Sequence, residues 1–296
     1  METFRPEPES NEDGKHIVEV LIEERAAKLV RSSLWPLYRS ILYPLLREQD
    51  AVRMADAIVG LSGKGVLDYL SELLSLDVAV SGLENVPKSG PVIIASTHPS
   101  GIADGIAMYD ALKKVRNDVV FFANRDAVRV APRLVETLIP VEWVVAKRTR
   151  ERSRETLESA VRAFESGACV VLFASGRIAY MDEQRKLNEQ PWQPSVAIFA
   201  RKYQCPVVPA DCIARNSWLY YWFWKVNTEL RDITLFNELL NKRGKRFDLA
   251  FGPAIPADQL RGDSAAVAAA LREHAASGVR RGEEWRPLPE SHRPTV

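Results

Sequence analysis

Apolar residues recur at spacings of three and four residues along the first quarter of the chain. Within residues 16–76 the spacing is seen in Ile17 and Leu21 and again in Ile41 and Leu45. This period places apolar side chains on one face of a helix. Glycines divide the stretch into segments. The pattern predicts two to four helices, which form an N-terminal helical region.

From residue 77 onward the pattern changes to short apolar runs separated by windows of helical period. The runs are apolar without alternation, which is typical of strands covered on both faces. The predicted class is therefore α/β, with a central, mostly parallel sheet flanked by helices. We expect strands at residues 78–80, 92–96, 119–123, 141–145, 168–174, 207–208 and 247–251, and helices at residues 102–115, 131–138, 152–166, 195–202, within 216–242, and at 258–276.

These changes divide the chain into four parts. Residues 1–15 are polar and acidic and lack the basic start and apolar run of a secretory signal, so we expect a disordered lead. Residues 16–76 are the N-terminal helical region, residues 77–257 the α/β domain, and residues 258–296 a C-terminal helix and tail. No run reaches the roughly 18 apolar residues of a membrane-spanning helix, so any membrane contact is expected to be peripheral.

Charge and cysteine content exclude several classes of function. The chain of 296 residues has 40 Lys and Arg against 39 Asp and Glu, and the net charge of +1 supplies no basic field for nucleic acid. The three cysteines have no C-x-x-C spacing, and the histidines lie in separate segments. Neither disulfides nor a metal site is expected. A reducing, cytoplasmic compartment fits this composition best.

The stretch around His98 carries the first candidate chemistry. A Pro-Ser-Gly turn separates His98, after the predicted strand at residues 92–96, from Asp104 in the next predicted helix. On a continuous helix the two lie about 240° apart, so they meet only if the turn folds His98 back. A histidine held by a carboxylate can serve as general base in acyl or phosphoryl transfer or in hydrolysis. The alternative is structural: His98 caps the helix and Asp104 is a first-turn acid favoured by the helix dipole.

A second candidate site follows the predicted strand at residues 168–174. Gly176 allows a ligand to approach the backbone, and the planar guanidinium of Arg177 suits a phosphate or a carboxylate. The alternative is a plain strand exit with a solvated arginine. Ser175 does not lie in a G-x-S-x-G elbow, so a serine hydrolase is not favoured.

Together these stretches resemble the glycerolipid acyltransferase family, which includes the PlsC-like lysophosphatidic acid acyltransferases of bacteria. The family's first motif separates a histidine and an aspartate by four residues, whereas five separate His98 from Asp104. That spacing resembles a hemolysin-related branch with the form H-P-x-G-x-x-D-G, which residues 98–105 match throughout. The resemblance implies that His98 and Asp104 are catalytic, on a fold like that of glycerol-3-phosphate acyltransferases.

Three further blocks resemble the family in the same order. They are Ile-Pro-Val at residues 139–141 with the basic cluster at 147–150, residues 173–177 for F-P-E-G-T-R, and residues 206–209 for V-P-V-x-P. In the third block Ser175 stands where the family has glutamate, and Arg177 follows glycine directly. Because that glutamate and arginine are linked to the glycerol phosphate acceptor, another lysolipid is expected, such as one with an amino-acid head group. The substrate-binding residues implied are Gly101, Ser175, Gly176, Arg177, Arg148 and Arg150.

The resemblance also implies the partners of the reaction. Acyl-coenzyme A or acyl carrier protein is the expected co-substrate, with no protein-bound cofactor, and the acceptor is a lysolipid hydroxyl. The aromatic segment 216–225 and the amphipathic helix 34–46 are the expected membrane contacts, although both could be core. The expected location is cytoplasmic, peripheral to the inner membrane. Two rivals stay open: a catalytically inactive member of the fold that binds lipid or protein, and an acyl-thioester hydrolase.

Overall fold

A computed structural model describes residues 14–143 and 147–289. The strands are β1 (Asp77–Ser81), β2 (Val92–Ser96), β3 (Val119–Asn124), β4 (Leu138–Val141), β5 (Cys169–Phe173), β6 (Tyr180–Met181), β7 (Leu187–Asn188), β8 (Val207–Ile213) and β9 (Arg246–Phe251). The helices are α1 (Ile17–Arg25), α2 (Ala27–Val30), α3 (Trp35–Leu45), α4 (Glu48–Ile58), α5 (Gly63–Leu74), α6 (Ile102–Leu112), α7 (Asp126–Val130), α8 (Arg150–Glu165), α9 (Ser195–Tyr203), α10 (Trp218–Val226), α11 (Thr228–Asp232), α12 (Leu235–Leu240) and α13 (Ser264–Glu273). The predicted lead up to residue 13, the end of the predicted strand 141–145 and the tail beyond residue 289 lie outside the described residues.

The described residues group into two compact units. The first contains the described parts of Met1–Ser75, Ala123–Arg148 and Asn216–Gly244. The second contains Leu76–Phe122, Thr149–Arg215 and the described part of Lys245–Val296. These units are defined by contacts and combine distant stretches of the chain, whereas the four predicted parts are consecutive. The predicted boundaries therefore stay a prediction.

The second unit is built on a sheet. Six of its strands lie side by side in the order β1, β9, β8, β2, β5, β3. Neighbouring strands are parallel except for β8 and β9, which are antiparallel. Among the helices, α6 packs on β1 and β9, α9 on β2, and α8 on β5. The predicted α/β class, a mostly parallel sheet flanked by helices, is confirmed.

The middle strand of this sheet determines where the candidate site lies. All five residues of β2 are buried, which explains its unbroken apolar pattern. It lies between β5 and β8, with Ser96 in register with Phe173 on one side and Ala210 on the other. Because these three strands are parallel, the residues that follow β2 and β5 meet at one edge. Open α/β sheets bind their ligands at such carboxyl ends.

The first unit contains the N-terminal helical region, which has α1 to α5 rather than the predicted two to four helices. The backbone explains the extra breaks: Ala26 leaves helical geometry between α1 and α2, and Arg47 adopts a left-handed conformation between α3 and α4. Helices α1, α3, α5 and α12 all pack against α4. Within the described residues none of the helices combines the length and apolarity needed to cross a membrane.

Several predicted elements are wrong in position or extent. In place of the helix at 131–138, α7 ends at Val130 and a 3-10 helix spans Pro132–Glu136, because a residue before proline disfavours α geometry. The strand expected at 141–145 lies at β4. The antiparallel pair β6 and β7 was not predicted, since two-residue strands carry no recognisable period. The expected C-terminal helix is divided into α13 and a π-helix, His274–Gly278.

Candidate active site

The chain leaves β2 toward the edge of the sheet in a fixed path. The Thr97 N–H donates to the carbonyl of Ala210 at 3.2 Å, so His98 follows a residue still bonded to β8. A three-residue turn ends at Gly101, whose φ of 97° and ψ of −135° are a conformation that essentially only glycine adopts. α6 starts at the next residue. This turn allows His98 to lie over the first turn of the helix.

His98 and Asp104 contact each other as the spacing argument requires. Nδ1 of His98 lies 2.9 Å from Oδ2 of Asp104. This is a close contact between the two polar atoms whose angle falls outside hydrogen-bond geometry. The His98 side chain is 17% exposed and that of Asp104 is fully buried. With Nδ1 facing the carboxylate, Nε2 is the ring nitrogen available to take a proton.

Asp104 is held by several donors besides His98. Its Oδ2 accepts from the N–H of Ser100 at 2.8 Å and of Gly101 at 2.9 Å, and its Oδ1 accepts from the Ser100 hydroxyl. The Cys212 thiol, whose pKa burial raises well above its usual value, lies 3.9 Å from Oδ1. Asp104 thus caps α6 and contacts His98 at the same time. The carboxylate of Asp104 therefore does two things: it caps the first turn of α6, as the structural alternative expects, and it contacts His98, as the catalytic hypothesis expects.

The position of His98 is determined by contacts on three sides. Its ring stacks on Phe173, with centroids 4.2 Å apart and planes 23° from parallel. Its carbonyl accepts from the N–H of Ala179 at 2.8 Å. Its N–H donates to Oε2 of Glu189 at 3.0 Å. The ring and both main-chain polar groups of His98 therefore have defined partners.

A carboxylate that the sequence did not indicate, Glu189, lies beside this histidine. Oε1 of Glu189 accepts from Nε1 of Trp192 at 3.0 Å. Burial raises the pKa of Glu189 above its usual value, while the His98 N–H, the Trp192 indole, the charge of His98 and the Ser175 hydroxyl lower it. No motif marks Glu189, because its partners are distant in sequence.

Behind His98 a buried polar network joins β2 to the end of the chain. Oδ1 of Asp211 accepts from the Thr97 hydroxyl at 3.0 Å, and Thr97 Oγ1 accepts from the Cys212 N–H at 2.8 Å. Arg280 pairs with Asp211 Oδ2, and its NH1 contacts Asp248 at 2.8 Å. Burial raises the pKa of Asp211, against the opposing effect of Arg280. The network connects β2, β8 and β9 behind the turn that carries His98.

The third block of the resemblance, residues 173–177, lies next to the turn at residues 99–101, because β5 and β2 are neighbouring parallel strands. Ser175 is buried, and its hydroxyl donates to the carbonyl of Arg177 at 2.8 Å. The Gly176 N–H donates to Phe173 O at 2.9 Å, just as the Gly101 N–H donates to Asp104, so both glycine amides already have acceptors. Arg177 is exposed. The structure thus brings Ser175 and Gly101 near His98, while substrate binding by these residues stays a prediction.

The two arginines of the basic cluster lie in different units. Arg148 belongs to the first unit, where its Nε donates to the carbonyl of Glu142 at 3.0 Å. Arg150 belongs to the second unit, is exposed and begins α8. Their predicted role in substrate binding stays a prediction.

The chemistry that this arrangement can perform is proton transfer at Nε2 of His98. The ring that takes the proton lies 2.9 Å from the carboxylate of Asp104, and the Glu189 carboxylate accepts from the main-chain N–H of the same residue. In the part of the chain that the structure describes, no three His, Cys, Asp or Glu side chains are grouped as metal ligands. The contact between His98 Nδ1 and Asp104 is the arrangement in which a histidine can act as a general base on a hydroxyl.

Comparison with known proteins agrees with this geometry. Residues 77–213, which include His98, Asp104 and the third block, match the model of a family described as acyltransferase. A lyso-glycine lipid O-acyltransferase of Phocaeicola vulgatus is 26% identical over 200 residues, covering 66% of this chain and 70% of that protein. Its counterpart in Bacteroides thetaiotaomicron is 24% identical over 200 residues, covering 66% and 71%.

The chain is also similar to a solved structure, that of the 1-acyl-sn-glycerophosphate (LPA) acyltransferase PlsC from Thermotoga maritima. The TM-score is 0.47 and the identity 14%, over 88% of this chain and 99% of that one. The resemblance noted in the motifs is confirmed by the family match. Through residues 77–213, just under half of its length, the chain is similar to the family described as acyltransferase.

Proposed function

We propose that this protein is an O-acyltransferase that moves a fatty acyl group from a thioester to a hydroxyl of a lysolipid. The observation that carries the proposal is the 2.9 Å contact of His98 with Asp104, inside the part of the chain that matches the acyltransferase family. Asp104 holds the imidazole by Nδ1, so Nε2 is the catalytic base.

The reaction runs through one tetrahedral intermediate. Nε2 of His98 takes the proton of the acceptor hydroxyl as its oxygen attacks the thioester carbonyl carbon. The buried carboxylate of Asp104 stabilises the imidazolium that forms. The intermediate then collapses: the carbon–sulfur bond breaks, and the proton on Nε2 passes to the departing sulfur. Atoms balance without an acyl-enzyme, which agrees with a site that has no G-x-S-x-G elbow.

The favoured acceptor is a lysolipid whose head group carries an amino-acid carboxylate. Two similar proteins, from Phocaeicola vulgatus and Bacteroides thetaiotaomicron, are lyso-glycine lipid O-acyltransferases by name. The third block lacks the glutamate that the family links to glycerol phosphate, because Ser175 occupies its position. Arg177, exposed beside that block, offers the planar donor pair that a carboxylate accepts.

The proposed donor is acyl-coenzyme A or acyl carrier protein, used as a co-substrate. Both are anionic, and Arg148 and Arg150 are exposed and positively charged, so each can attract such a donor. No protein-bound cofactor is needed, since the thioester carries its own activation.

The acceptor is insoluble, so the protein is proposed to work on the cytoplasmic face of the inner membrane. In the first unit, α3 exposes Leu37, Ile41 and Leu45 at a spacing of four residues, which places them on one face. In α10, Trp218 is 73% exposed and Trp222 48%, whereas its tyrosines are buried. Exposed tryptophans and leucines are the side chains favoured at the boundary between headgroups and acyl chains.

The catalytic assignment is tested by transfer of a radiolabelled acyl group from coenzyme A and from acyl carrier protein to a panel of lysolipids. We expect product with lyso-glycine lipid, and a loss of about 10²-fold to 10⁴-fold in kcat for His98→Ala and Asp104→Asn. His16→Ala and Asp110→Asn are the matched controls and retain activity. Thioester hydrolysis without acyl transfer, or full turnover in His98→Ala, contradicts the proposal.

The membrane assignment is tested by sedimentation with vesicles of anionic phospholipid. The double variant Trp218→Ser, Trp222→Ser is expected to remain in the supernatant at lipid concentrations that sediment the parent. Val135→Ser, which removes another exposed apolar side chain of the first unit, is the control and sediments normally. Equal sedimentation of the double variant and the parent contradicts the assignment.

A further inference from the structure

The chain between β5 and α9 forms a closed loop, which we call the return segment (residues 174–193). Its two ends are joined by a hydrogen bond from the Gln193 N–H to the Ala174 carbonyl, 2.8 Å long. In its first half the Ala179 N–H donates to the carbonyl of His98. The return segment therefore starts and ends at β5 and touches the catalytic histidine in between.

The middle of the return segment is a hairpin of β6 and β7. Its turn is fastened by Asp182, which accepts from the Lys186 N–H at 2.8 Å and from Nδ2 of Asn188 at 2.6 Å. These donors, the Lys186 N–H first, lower the pKa of Asp182. Glu189 comes directly after β7, so the hairpin fixes the position of its backbone.

Glu189 has partners at both carboxylate oxygens and at its main chain. Oε2 accepts from the His98 N–H and Oε1 from the Trp192 indole, both at 3.0 Å. The carbonyl of Glu189 accepts from Arg272 NH1 at 3.1 Å. Ser175 stands where the third block of the family has glutamate, and it follows Ala174, whose carbonyl accepts from the Gln193 N–H at the other end of the return segment. The same closed segment therefore contains both the position that lacks the carboxylate and Glu189, which has one.

We propose that Glu189 is a positioning residue for His98 and supplies, from the far end of the return segment, the carboxylate that the third block lacks at Ser175. The proposal rests on the proposed acyl transfer. Glu189 accepts from the main-chain N–H of His98 while Asp104 contacts Nδ1 of its ring, so the backbone and the imidazole of this residue are held by separate carboxylates. The negative charge of Glu189 also interacts favourably with the His98 imidazolium that forms when the proton is taken.

The first test compares Glu189→Gln with Glu183→Gln. Glutamine at 189 keeps one acceptor oxygen but loses the charge and cannot serve both donors. We expect kcat to fall about tenfold to a hundredfold, with KM for donor and acceptor unchanged, because positioning acts on the reacting step. Glu183, exposed on the same hairpin, is the control and retains the parent kcat. A rise in KM for the acceptor at unchanged kcat assigns Glu189 to substrate binding and overturns the proposal.

The second test restores the carboxylate at the position where the family has it. Glu189→Ala removes the side chain and makes room beside the buried Ser175. The double variant Ser175→Glu, Glu189→Ala is expected to recover kcat at least about tenfold over Glu189→Ala alone. Thermal melting of both variants separates folding from activity. If both melt like the parent and the double variant is no faster than Glu189→Ala, the proposed replacement of the glutamate is wrong.

A third measurement does not depend on turnover and separates this proposal from the proposed function. An N–H bonded to a carboxylate is deshielded, so the His98 amide proton resonance is expected to move upfield in Glu189→Gln and to stay in place in Glu183→Gln. If the parent transfers no acyl group but the resonance moves, acyl transfer fails while the positioning contact stands. An unmoved His98 resonance in Glu189→Gln overturns the positioning contact itself.

Discussion

Gly101 gives a quantitative test of how the turn between His98 and α6 is built. Replacing it by alanine puts a Cβ on a residue at φ 97° and ψ −135°, a backbone region that costs non-glycine residues about 1–3 kcal/mol. The new Cβ also lies 2.9 Å from Cδ1 of Ile178. That atom is the end of a flexible side chain and can move, so the backbone strain dominates. We expect Gly101→Ala to lower the free energy of unfolding by about 1–3 kcal/mol.

A matched substitution at Gly105 has the opposite expected sign. Gly105 lies inside α6, and its added Cβ is 4.0 Å from Phe173, in ordinary contact. Alanine is about 0.5–1 kcal/mol better than glycine in a helix interior, so Gly105→Ala is expected to be more stable than the parent. Gly101→Ala and Gly105→Ala make the same chemical change at positions four residues apart. Comparing them separates the effect of backbone strain at Gly101 from the general effect of replacing a glycine.

Urea unfolding and acyl-transfer kinetics measure the two effects. When Gly101→Ala relaxes toward a favourable φ, the N–H groups that hold Asp104 move, and we expect kcat to fall about a hundredfold. Adding Ile178→Val, which removes the contacting Cδ1, is expected to restore little of the stability. Equal unfolding free energies for Gly101→Ala and the parent, or full recovery with Ile178→Val, refute the argument from backbone strain.

Two further predictions concern pH. Burial raises the pKa of Asp211, so its ionised form depends on Arg280. Arg280→Ala is expected to lower the free energy of unfolding by about 1–3 kcal/mol at pH 7 and by much less near pH 3, where Asp211 is protonated. The control Arg281→Ala is expected to lower it little at either pH. Chiefly Arg129 lowers the pKa of Glu24 to about 2, so its contribution is present above the usual carboxyl range and is lost as pH falls toward that value. In urea unfolding, Glu24→Gln is therefore expected to lower stability by on the order of 1 kcal/mol at neutral pH, because the group is about a third exposed and partly screened by solvent, and by much less near pH 2. Costs that do not change with pH contradict both predictions.

The strand, turn and helix around His98 could be predicted because every signal there is local. The apolar run of β2, the proline and glycine of the turn, and the helical period after residue 101 lie within one window of sequence. The 240° offset between His98 and Asp104 then required a sharp turn, and the glycine that permits it is Gly101. Local rules suffice when the partners are six residues apart.

The remaining parts of the site depend on contacts between distant residues. His98 meets Glu189 across 91 positions, and Asp211 meets Arg280 across 69. Neither pair carries a motif, and an isolated charged residue in a sequence most often indicates a solvated surface. Strand direction was hidden for the same reason, because the composition of β9 does not distinguish an antiparallel neighbour from a parallel one.

The hydrogen bond between Gln193 and Ala174 makes the return segment an exchangeable module. Because its ends are already joined at β5, its interior can be replaced from a related acyltransferase without moving the strand that supports His98. Two conditions limit such a graft. The new loop must offer an N–H to the carbonyl of His98 and a carboxylate to its N–H, as Ala179 and Glu189 do here. Within those limits, such grafts would change Ser175, Gly176 and Arg177, the proposed head-group contacts, while the contacts that hold His98 are kept.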